Sequence, residues 1–522
     1  MKKTVFSIIF VISLAVSLFY GFQKQGFHED EYYTYYSSNR SIGLFQPDRQ
    51  WQDRQTILDE FSVKKGEGFN YRMVKLVQSW DVHPPFYYYV FHTLCSFVPG
   101  VFTKWTGLIT NLIAFAVSYL FMCLLMERLK VPFPVEVLTL LFWGLNPQTV
   151  SCNMLIRMYA FLGAAILACA YFHVRLIQDY DNNSLELKAF ILKSLLPVMI
   201  VSYLGFLIQY FYIFFFVCIG VAVTSWIVFM RKDVASGVVY VTGCAISLGA
   251  AVLTYPASLS HMFGGYRGTG ASGSFFAMAN TGLRLSFFIG LLSDFVFAGG
   301  LLILILMIFL GLILRVTGKK EGRNNRILPG AEIVALTTGG VGYFLLTAKT
   351  ALLVGSASNR YEMPIYALLI LLILMDAYYV LSDMENTVLI YALGAVVIAL
   401  LLKGHFYDRN VLFLYPEDKD KIAYAAENSD KVAVVMFNPA TPQNVWRLTD
   451  ELLEYPKVFY MDEENLDRIT EEAVVSADRI ILYAADDEMQ PKAFENLLLS
   501  SNALTVMESV ADEDMWTTYE VY

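Results

Sequence analysis

Long apolar runs separated by polar segments fill the first four-fifths of the chain. The first run, Thr4 to Phe22, follows two lysines and lacks a clear small-residue cleavage site, so we expect an uncleaved anchor rather than a signal peptide. Ten further runs have lengths typical of membrane-spanning helices, near 105–126, 132–150, 155–177, 189–208, 210–230, 236–256, 295–315, 330–353, 363–382 and 387–404. The pattern predicts an α-helical polytopic membrane protein, with about 11 spans in residues 1–404.

A polar segment at 23–104 separates the first two runs and is predicted to be a long loop. Within it, the apolar stretch that begins at His83 is opened by two prolines and is only about 15 residues long, which favours an interfacial or re-entrant helix. If this stretch crossed the bilayer, the Lys/Arg-rich short loops would all lie outside, against the positive-inside rule. We therefore expect a cytoplasmic N-terminus, with the 23–104 loop and the C-terminal region on the external face.

The segment 405–522 has a different pattern. Short β-like runs alternate there with helical ones, which predicts a small α/β domain with a partly parallel sheet; the runs are Val432–Phe437, Val458–Met461, Arg479–Tyr483 and Ala503–Met507. No glycine-rich phosphate loop is present, so we predict no nucleotide site. This segment holds 25 acidic and 9 basic residues, whereas the rest of the chain holds 22 acidic and 29 basic ones. An external acidic domain is thus joined to a mildly basic membrane body.

Composition supports the bilayer as the solvent for most of the chain. Hydrophobic residues make up 56% and charged residues 16%, against about 45–50% and about 25% in soluble proteins. All six cysteines lie in or beside apolar runs, so neither a disulfide framework nor a CxxC metal site is indicated. We expect the bilayer as a partner and no nucleic acid.

The candidate chemistry begins directly after the first apolar run, in His28-Glu-Asp-Glu-Tyr-Tyr-Thr-Tyr-Tyr36. Three successive carboxylates close to hydrocarbon are electrostatically unfavourable. They are either an ordinary polar flank of the helix or a catalytic group, because repulsion and partial burial raise the pKa of a carboxyl group toward useful basicity.

Two further motifs follow this acidic cluster along the chain. Trp80-Asp-Val-His-Pro-Pro-Phe-Tyr87 closes the long loop, and Asn153-Met-Leu-Ile-Arg-Met-Tyr159 follows an Asn146-Pro147 helix end. With the Asp-Glu pair after the first span, these motifs resemble the GT-C glycosyltransferases. The branch most similar contains protein O-mannosyltransferases and lipid A aminoarabinose transferases (glycosyltransferase family 39-like). The motifs cover the first two-fifths of the chain, and the later spans are similar only in general architecture.

The resemblance implies an enzyme of a prokaryotic plasma membrane. Such an enzyme transfers a sugar from a polyprenyl-phosphate donor to a protein, lipid or glycan acceptor on the external face, with inversion. The residues suit this chemistry, because a phosphate leaving group needs one base and nearby positive charge rather than the paired carboxylates of a hydrolase. A transporter or flippase of lipid-linked sugars should show repeated halves or broken helices, and we detect neither in the sequence. A surface-polysaccharide ligase or polymerase stays an alternative.

Roles are carried over residue by residue. Asp30 matches the base, Glu31 supports it, and Glu29 is a further candidate for the same role. Asp81 and His83 are expected to orient the acceptor or close the site; the alternative is a polar cap on the Pro-Pro turn. Nothing in the spacing of these residues requires a metal ion. We therefore expect no cofactor, with a divalent metal as the open alternative.

Arginines with neighbouring tyrosines are the candidates for binding the donor phosphate, because the guanidinium fork matches phosphate oxygens. The alternative is snorkelling to lipid headgroups from span ends. The candidates are Arg157 with Tyr159, Arg360 with Tyr361, and Arg267. The glycine-rich run 264–274 is predicted to be an external linker, with ordering on donor binding as its alternative.

Overall fold

The chain folds into two compact units in a computed structural model that describes residues 1–39, 49–182, 187–317, 330–382, 387–462, 470–485, 490–501, 504–512 and 515–522. The membrane unit comprises Met1–Gly21, Gln78–Tyr87 and Gly107–Leu412, and the sheet unit comprises Phe22–Val77, Tyr88–Thr106 and Phe413–Tyr522. Most of the long first loop thus belongs with the C-terminal segment. The sequence-based division instead kept residues 23–104 with the membrane domain 1–404 and separated 405–522.

The fold class expected from the sequence is confirmed, since the chain is a multi-pass helical protein with a small C-terminal sheet. Within the described residues, nine helices are long and apolar enough to cross a membrane, or ten if a bent helix pair counts as one span. The nine are Lys2–Gln23, Lys104–Arg128, Tyr159–Asp181, Leu187–Ile208, Tyr212–Met230, Val234–Thr254, Ala331–Thr350, Met363–Ser382 and Ile390–Tyr407.

Two of the eleven predicted runs are absent from these nine helices, which accounts for the difference in the number of spans. The run 132–150 folds as the 12-residue helix Phe133–Gly144 and the separate helix Pro147–Met154. Twelve residues rise only about 18 Å, well below the roughly 30 Å of a hydrocarbon core. Asn146 causes the break, because its side chain caps the second helix by accepting from the Gln148 N–H. The run 295–315 becomes Leu301–Thr317, whose 17 residues reach the lower limit of a span.

The glycine-rich run 264–274 is helical, so its prediction as a linker is wrong. It forms the helix Tyr266–Phe276, and Arg267–Phe276 meets Met278–Val296 at an angle of 81°. Glycine weakens a helix by about 1 kcal/mol per residue, but tertiary hydrogen bonds hold this one. Ser274 donates to the Lys349 carbonyl, and the Lys349 ammonium donates to the carbonyl of Ala277 at the bend.

Shorter helices complete both units. The apolar stretch after His83 forms Phe86–Ser96, whose 11 residues are too few to span a bilayer. The other short helices before residue 400 are Glu29–Asn39, Arg54–Phe61, Tyr71–Trp80, Ala257–Phe263, Thr281–Leu291 and Ala357–Tyr361. Those of the C-terminal segment are Asp418–Glu427, Pro442–Leu448, Thr449–Leu452, Glu472–Val475 and Gln490–Ser500.

A six-stranded sheet forms the core of the sheet unit, in the order β1-β3-β2-β4-β6-β5. The strands are β1 Gln50–Asp53, β2 Val432–Phe437, β3 Lys457–Asp462, β4 Ile480–Ala485, β5 Met507–Asp512 and β6 Trp516–Val521. Strand β2 pairs in parallel with β3 and β4, and the other pairs are antiparallel. Apolar clusters bury both faces, which explains the continuous apolar run of β2.

Candidate active site

The predicted base lies at the start of the helix Glu29–Asn39, which begins six residues after the first span ends. Three acidic residues occupy its first turn, where carboxylates interact favourably with the helix dipole. The backbone N–H of Asp30 donates to His28 Nδ1 at 3.0 Å. The side chain of Asp30 stays 23% exposed and its Oδ2 lies 3.7 Å from His28 Nδ1, so the carboxylate is partly accessible.

Glu31 differs sharply from Asp30, because it is buried in an ion pair. Its Oε2 lies 2.9 Å from the Lys24 ammonium, and both side chains are fully buried. The same oxygen accepts from the His28 N–H at 2.5 Å. Lys24 also donates to the carbonyl of Phe413 at 2.8 Å. The carboxylate of Glu31 is thus neutralised locally and fixes the start of the helix.

The C-terminal segment holds the chain just before this helix. Arg447 donates to the Phe27 carbonyl at 2.5 Å and lies 3.9 Å from an Asp418 carboxylate oxygen. A Cβ at Gly26 would come within 1.8 Å of that carboxylate, so any larger residue there would force Asp418 to move. The backbone just before the acidic helix is therefore held by residues about 400 positions later.

Asp450 interacts with the middle of the same helix. The Tyr32 hydroxyl donates to Asp450 Oδ2 at 3.4 Å. Burial and the neighbouring Asp418 carboxylate raise the pKa of Asp450 to about 7, against the opposing effects of Tyr32, Lys24 and Arg447. Asp450 is therefore partly protonated at neutral pH.

A second polar cluster, in the membrane unit, joins three of the predicted residues. Asp81 Oδ2 lies 2.9 Å from His83 Nδ1, and Arg157 Nη2 lies 3.2 Å from His83 Nε2. Because a guanidinium has only donors, His83 Nε2 must accept, and the ring proton sits on Nδ1 and is donated to Asp81. Burial would raise the pKa of Asp81, but His83 and Arg157 outweigh it and hold that pKa below its usual range.

Arg157 is held rigidly in a short break between two helices. Its guanidinium is buried, and its backbone N–H donates to the Leu155 carbonyl at 2.7 Å. Asn111 donates to the carbonyls of Asn153 and Leu155, at 3.2 and 2.6 Å. The Asn153 amide in turn donates to Ser17 of the first span at 3.0 Å. Buried amide groups thus fix the loop that carries the arginine.

Arg360, the second predicted arginine, contacts one of two tyrosines that pack together. Arg360 lies over the Tyr361 ring, 5.1 Å from its centroid, and Nη2 donates to that tyrosine's hydroxyl at 3.3 Å. Tyr361 packs edge-to-face on Tyr159, with 5.9 Å between ring centroids. Both predicted arginine–tyrosine pairs are therefore joined through their tyrosines. Arg267, in contrast, is exposed on the helix Tyr266–Phe276.

Several residues that build these clusters were not predicted from the sequence. In the sequence, Lys24 looks like an ordinary basic residue at the end of a span. The seven-residue spacing between Lys24 and Glu31 matches no recognised motif. Arg447, Asp450 and Gly26 each contact a residue about 400 positions away in the chain, which no local pattern indicates. Within the described part of the chain, no group of three His, Cys, Asp or Glu side chains is arranged to hold a metal ion. Metal independence stays a prediction.

Comparisons with known proteins gave matches among solved structures but not among family models or curated proteins. No protein-family model matches the chain, and no curated protein matches it. Among solved structures, it is similar to the crystal structure of ArnT from Cupriavidus metallidurans bound to undecaprenyl phosphate. The identity is 11% and the TM-score 0.46, over 98% of this chain and 97% of that one.

Proposed function

We propose that the protein is a GT-C-type glycosyltransferase that moves a sugar from a polyprenyl-phosphate donor to an acceptor on the external face of the plasma membrane, with inversion. Asp30 acts as the base for the incoming hydroxyl group. Glu29 is its partly exposed neighbour, and Glu31 positions the helix. Arg157 with Tyr159 and Arg360 with Tyr361 bind the donor phosphate, and Arg267 is a further candidate for that role.

The observation that carries this proposal is the contrast between Asp30 and Glu31. Two successive carboxylates at the end of a membrane span have different environments, one accessible and one neutralised by a buried lysine. A purely polar helix flank would leave both carboxylates in water. An accessible carboxylate beside the bilayer suits a reaction that needs one base and a good leaving group.

The second cluster supports the positive charge that the leaving phosphate needs. Arg157 is bonded to a histidine that is neutral by the argument above, and the carboxylate of Asp81 lies one residue further along the hydrogen-bond chain. His83 thus orients the guanidinium of Arg157. A guanidinium suits a phosphate ligand, since its forked donors match phosphate oxygens.

Chain connectivity predicts that these residues lie on one side of the membrane. Asp30, Asp81 and His83 all come between the spans Lys2–Gln23 and Lys104–Arg128, and the described helices in between are too short to cross. Arg157 contacts His83, so it lies on that same side. We assign this side as external from the distribution of basic loops.

A transporter or flippase of lipid-linked sugars is the second candidate. The 81° bend between Arg267–Phe276 and Met278–Val296 favours it, because broken helices are common in transporters. The acidic helix and the arginine cluster, however, lie at span ends rather than at the bilayer midplane. A polysaccharide ligase or polymerase would use the same donor chemistry.

One experiment separates transfer from transport. The purified protein is reconstituted into vesicles with a panel of radiolabelled polyprenyl-phosphate sugars in one leaflet, and an envelope membrane fraction supplies acceptors. We expect one donor to be consumed, with stoichiometric release of polyprenyl phosphate. A donor that reaches the other leaflet chemically intact would support the transporter, and a panel left unchanged in both respects would contradict both candidates.

A further inference from the structure

The helix that carries Asp30 exposes a single stripe. Its partly exposed residues are Glu29, Asp30, Tyr33 and Tyr36, and its other residues are buried. Tyr33 follows the two carboxylates by three and four residues, and Tyr36 follows Tyr33 by three, so they share one helix face. The acidic first turn thus continues directly into two tyrosine rings.

A buried tryptophan of the C-terminal segment supports both rings. Trp446 is only 3% exposed, and its ring centroid lies 4.9 Å from that of Tyr33 and 4.7 Å from that of Tyr36. The Tyr33 contact is edge-on at 77°, and the Tyr36 contact is tilted at 39°. The Trp446 indole N–H is buried and has no hydrogen-bond partner in the described part of the chain.

The opposite face of the helix keeps this stripe in place. Tyr35 packs on Phe91 and Phe102, each with 4.8 Å between ring centroids, and its hydroxyl donates to the Thr103 carbonyl at 2.6 Å. Tyr32 is likewise buried. The helix cannot turn its exposed face inward without breaking these contacts, so the two tyrosines are presented rigidly.

The stripe is suited to a sugar ring. A pyranose has an apolar C–H face and a polar rim, and a tyrosine offers an apolar ring with a hydroxyl at its edge, so stacking removes apolar surface from water on both sides. A plain membrane-anchoring role would require lipid contact, but the same stripe carries two carboxylates, which are costly in hydrocarbon. Tyrosine rings next to two carboxylates are therefore better suited to bind a sugar than a lipid acyl chain.

We propose that Tyr33 and Tyr36, supported by Trp446, form a stacking ledge for a pyranose ring of the substrate. The ledge places that ring one helical turn from Asp30. This inference rests on the proposed function only for the role of Asp30. The ring belongs either to the donor sugar or to a glycan acceptor, since both present the same chemistry.

Saturation-transfer NMR on the full chain in nanodiscs tests the ledge with a panel of free methyl hexopyranosides. We expect at least one glycoside to receive saturation at its ring protons. Tyr33→Leu and Tyr36→Leu should weaken its Kd at least tenfold, whereas Tyr33→Phe and Tyr36→Phe should bind within about threefold of the parent, because Phe keeps the stacking face. Tyr71→Leu, at an exposed tyrosine of another helix, is the matched control and should bind like the parent.

Asp30→Asn separates this inference from the proposed function, since it should bind the glycoside normally while its transfer rate falls at least about 100-fold. Displacement by a short-chain prenyl-phosphate hexose would assign the ledge to the donor ring, and co-binding would assign it to the acceptor. No signal from any glycoside in the parent protein would overturn the ledge, as would equal affinities of the parent and both leucine variants. If the parent protein binds a glycoside through the ledge but transfers no sugar from a lipid donor, the ledge would be supported and the proposed transferase function would be contradicted.

Discussion

At the scale of single residues, neighbours in the sequence have unlike environments in the fold. The acidic motif and its position after the first span could be predicted from the sequence. Which carboxylate stays accessible could not be predicted, because burial of Glu31 depends on Lys24, seven residues earlier, and on the Phe413 carbonyl that also binds Lys24. Burial of an ion pair is decided by tertiary packing, which leaves no local pattern.

The first prediction concerns that ion pair. Lys24→Met leaves the Glu31 carboxylate buried without its cation and should lower the free energy of unfolding by about 3–5 kcal/mol. The double variant Lys24→Met/Glu31→Gln removes both charges and should recover most of the loss. Denaturant unfolding in detergent measures both. A single variant as stable as the parent would show that the pair is not a buried anchor.

The second prediction concerns Arg157, as a ligand of the donor phosphate. Arg157→Lys keeps the charge but loses the fork, and Arg157→Ala loses both, so affinity for a polyprenyl-phosphate analogue should fall in that order. Charge-assisted hydrogen bonds contribute about 1.5–3 kcal/mol each, so the alanine variant should bind at least about tenfold more weakly. Calorimetric titration compares the three proteins. Equal affinities would remove Arg157 from the site, leaving Arg360 as the next candidate.

At the scale of elements, the long first loop and the C-terminal segment fold together. The sequence predicted β2, the neighbouring strands β3 and β4, and the partly parallel sheet. It missed β1 in the first loop and β6 at the C-terminus. Strand β1, with the sequence Gln-Trp-Gln-Asp, is short and polar, and it is a strand only because β3 pairs with it. Trp51 then packs on Phe459 of β3, with 5.3 Å between ring centroids.

The third prediction follows from Asp450, which joins the C-terminal segment to the acidic helix. Its pKa is about 7 in the folded protein and about 3.9 when unfolded. Between these values the folded state holds more protons than the unfolded one, so this group makes stability fall as pH rises from about 4 to 7. Asp450→Asn keeps an acceptor for Tyr32 and should remove that slope.

Thermal unfolding across pH measures this effect. The asparagine variant should match the parent near pH 4 and melt at a higher temperature near pH 7.5. Asp430→Asn, at an exposed aspartate of the same unit, is the control and should not change the slope. Parallel profiles for the parent and Asp450→Asn would contradict a buried, partly protonated Asp450.

At the scale of the whole molecule, the sequence predicted a multi-pass helical protein with a small C-terminal sheet. It marked a helix end at Asn146-Pro147 but still counted 132–150 as one span, because the apolar pattern continues across that helix end. It also misjudged the glycine-rich run, whose helix depends on hydrogen bonds with Lys349, about 75 residues later. Apolar periodicity thus identifies spans, whereas capping and distant polar contacts decide where they end.

The fourth prediction concerns orientation, with the C-terminal segment external. Ser509→Cys in β5 should react with a membrane-impermeant thiol reagent in intact cells. Ser382→Cys, at the end of the span Met363–Ser382, should react only after permeabilisation. The parent protein gives the background from the six native cysteines. Labelling at 382 without labelling at 509 would invert the topology and move the acidic helix to the cytoplasm.

The most direct test of the account is transfer by Asp30→Asn, with Glu29→Gln as a neighbouring control in the same exposed turn. A positioned base contributes about 10²–10⁴-fold to rate. Asp30→Asn should therefore lower transfer from a polyprenyl-phosphate sugar at least about 100-fold while donor binding stays unchanged, and Glu29→Gln should have a smaller effect. Near-normal transfer by Asp30→Asn, from protein that binds the donor normally, would contradict the central claim that this carboxylate is the catalytic base.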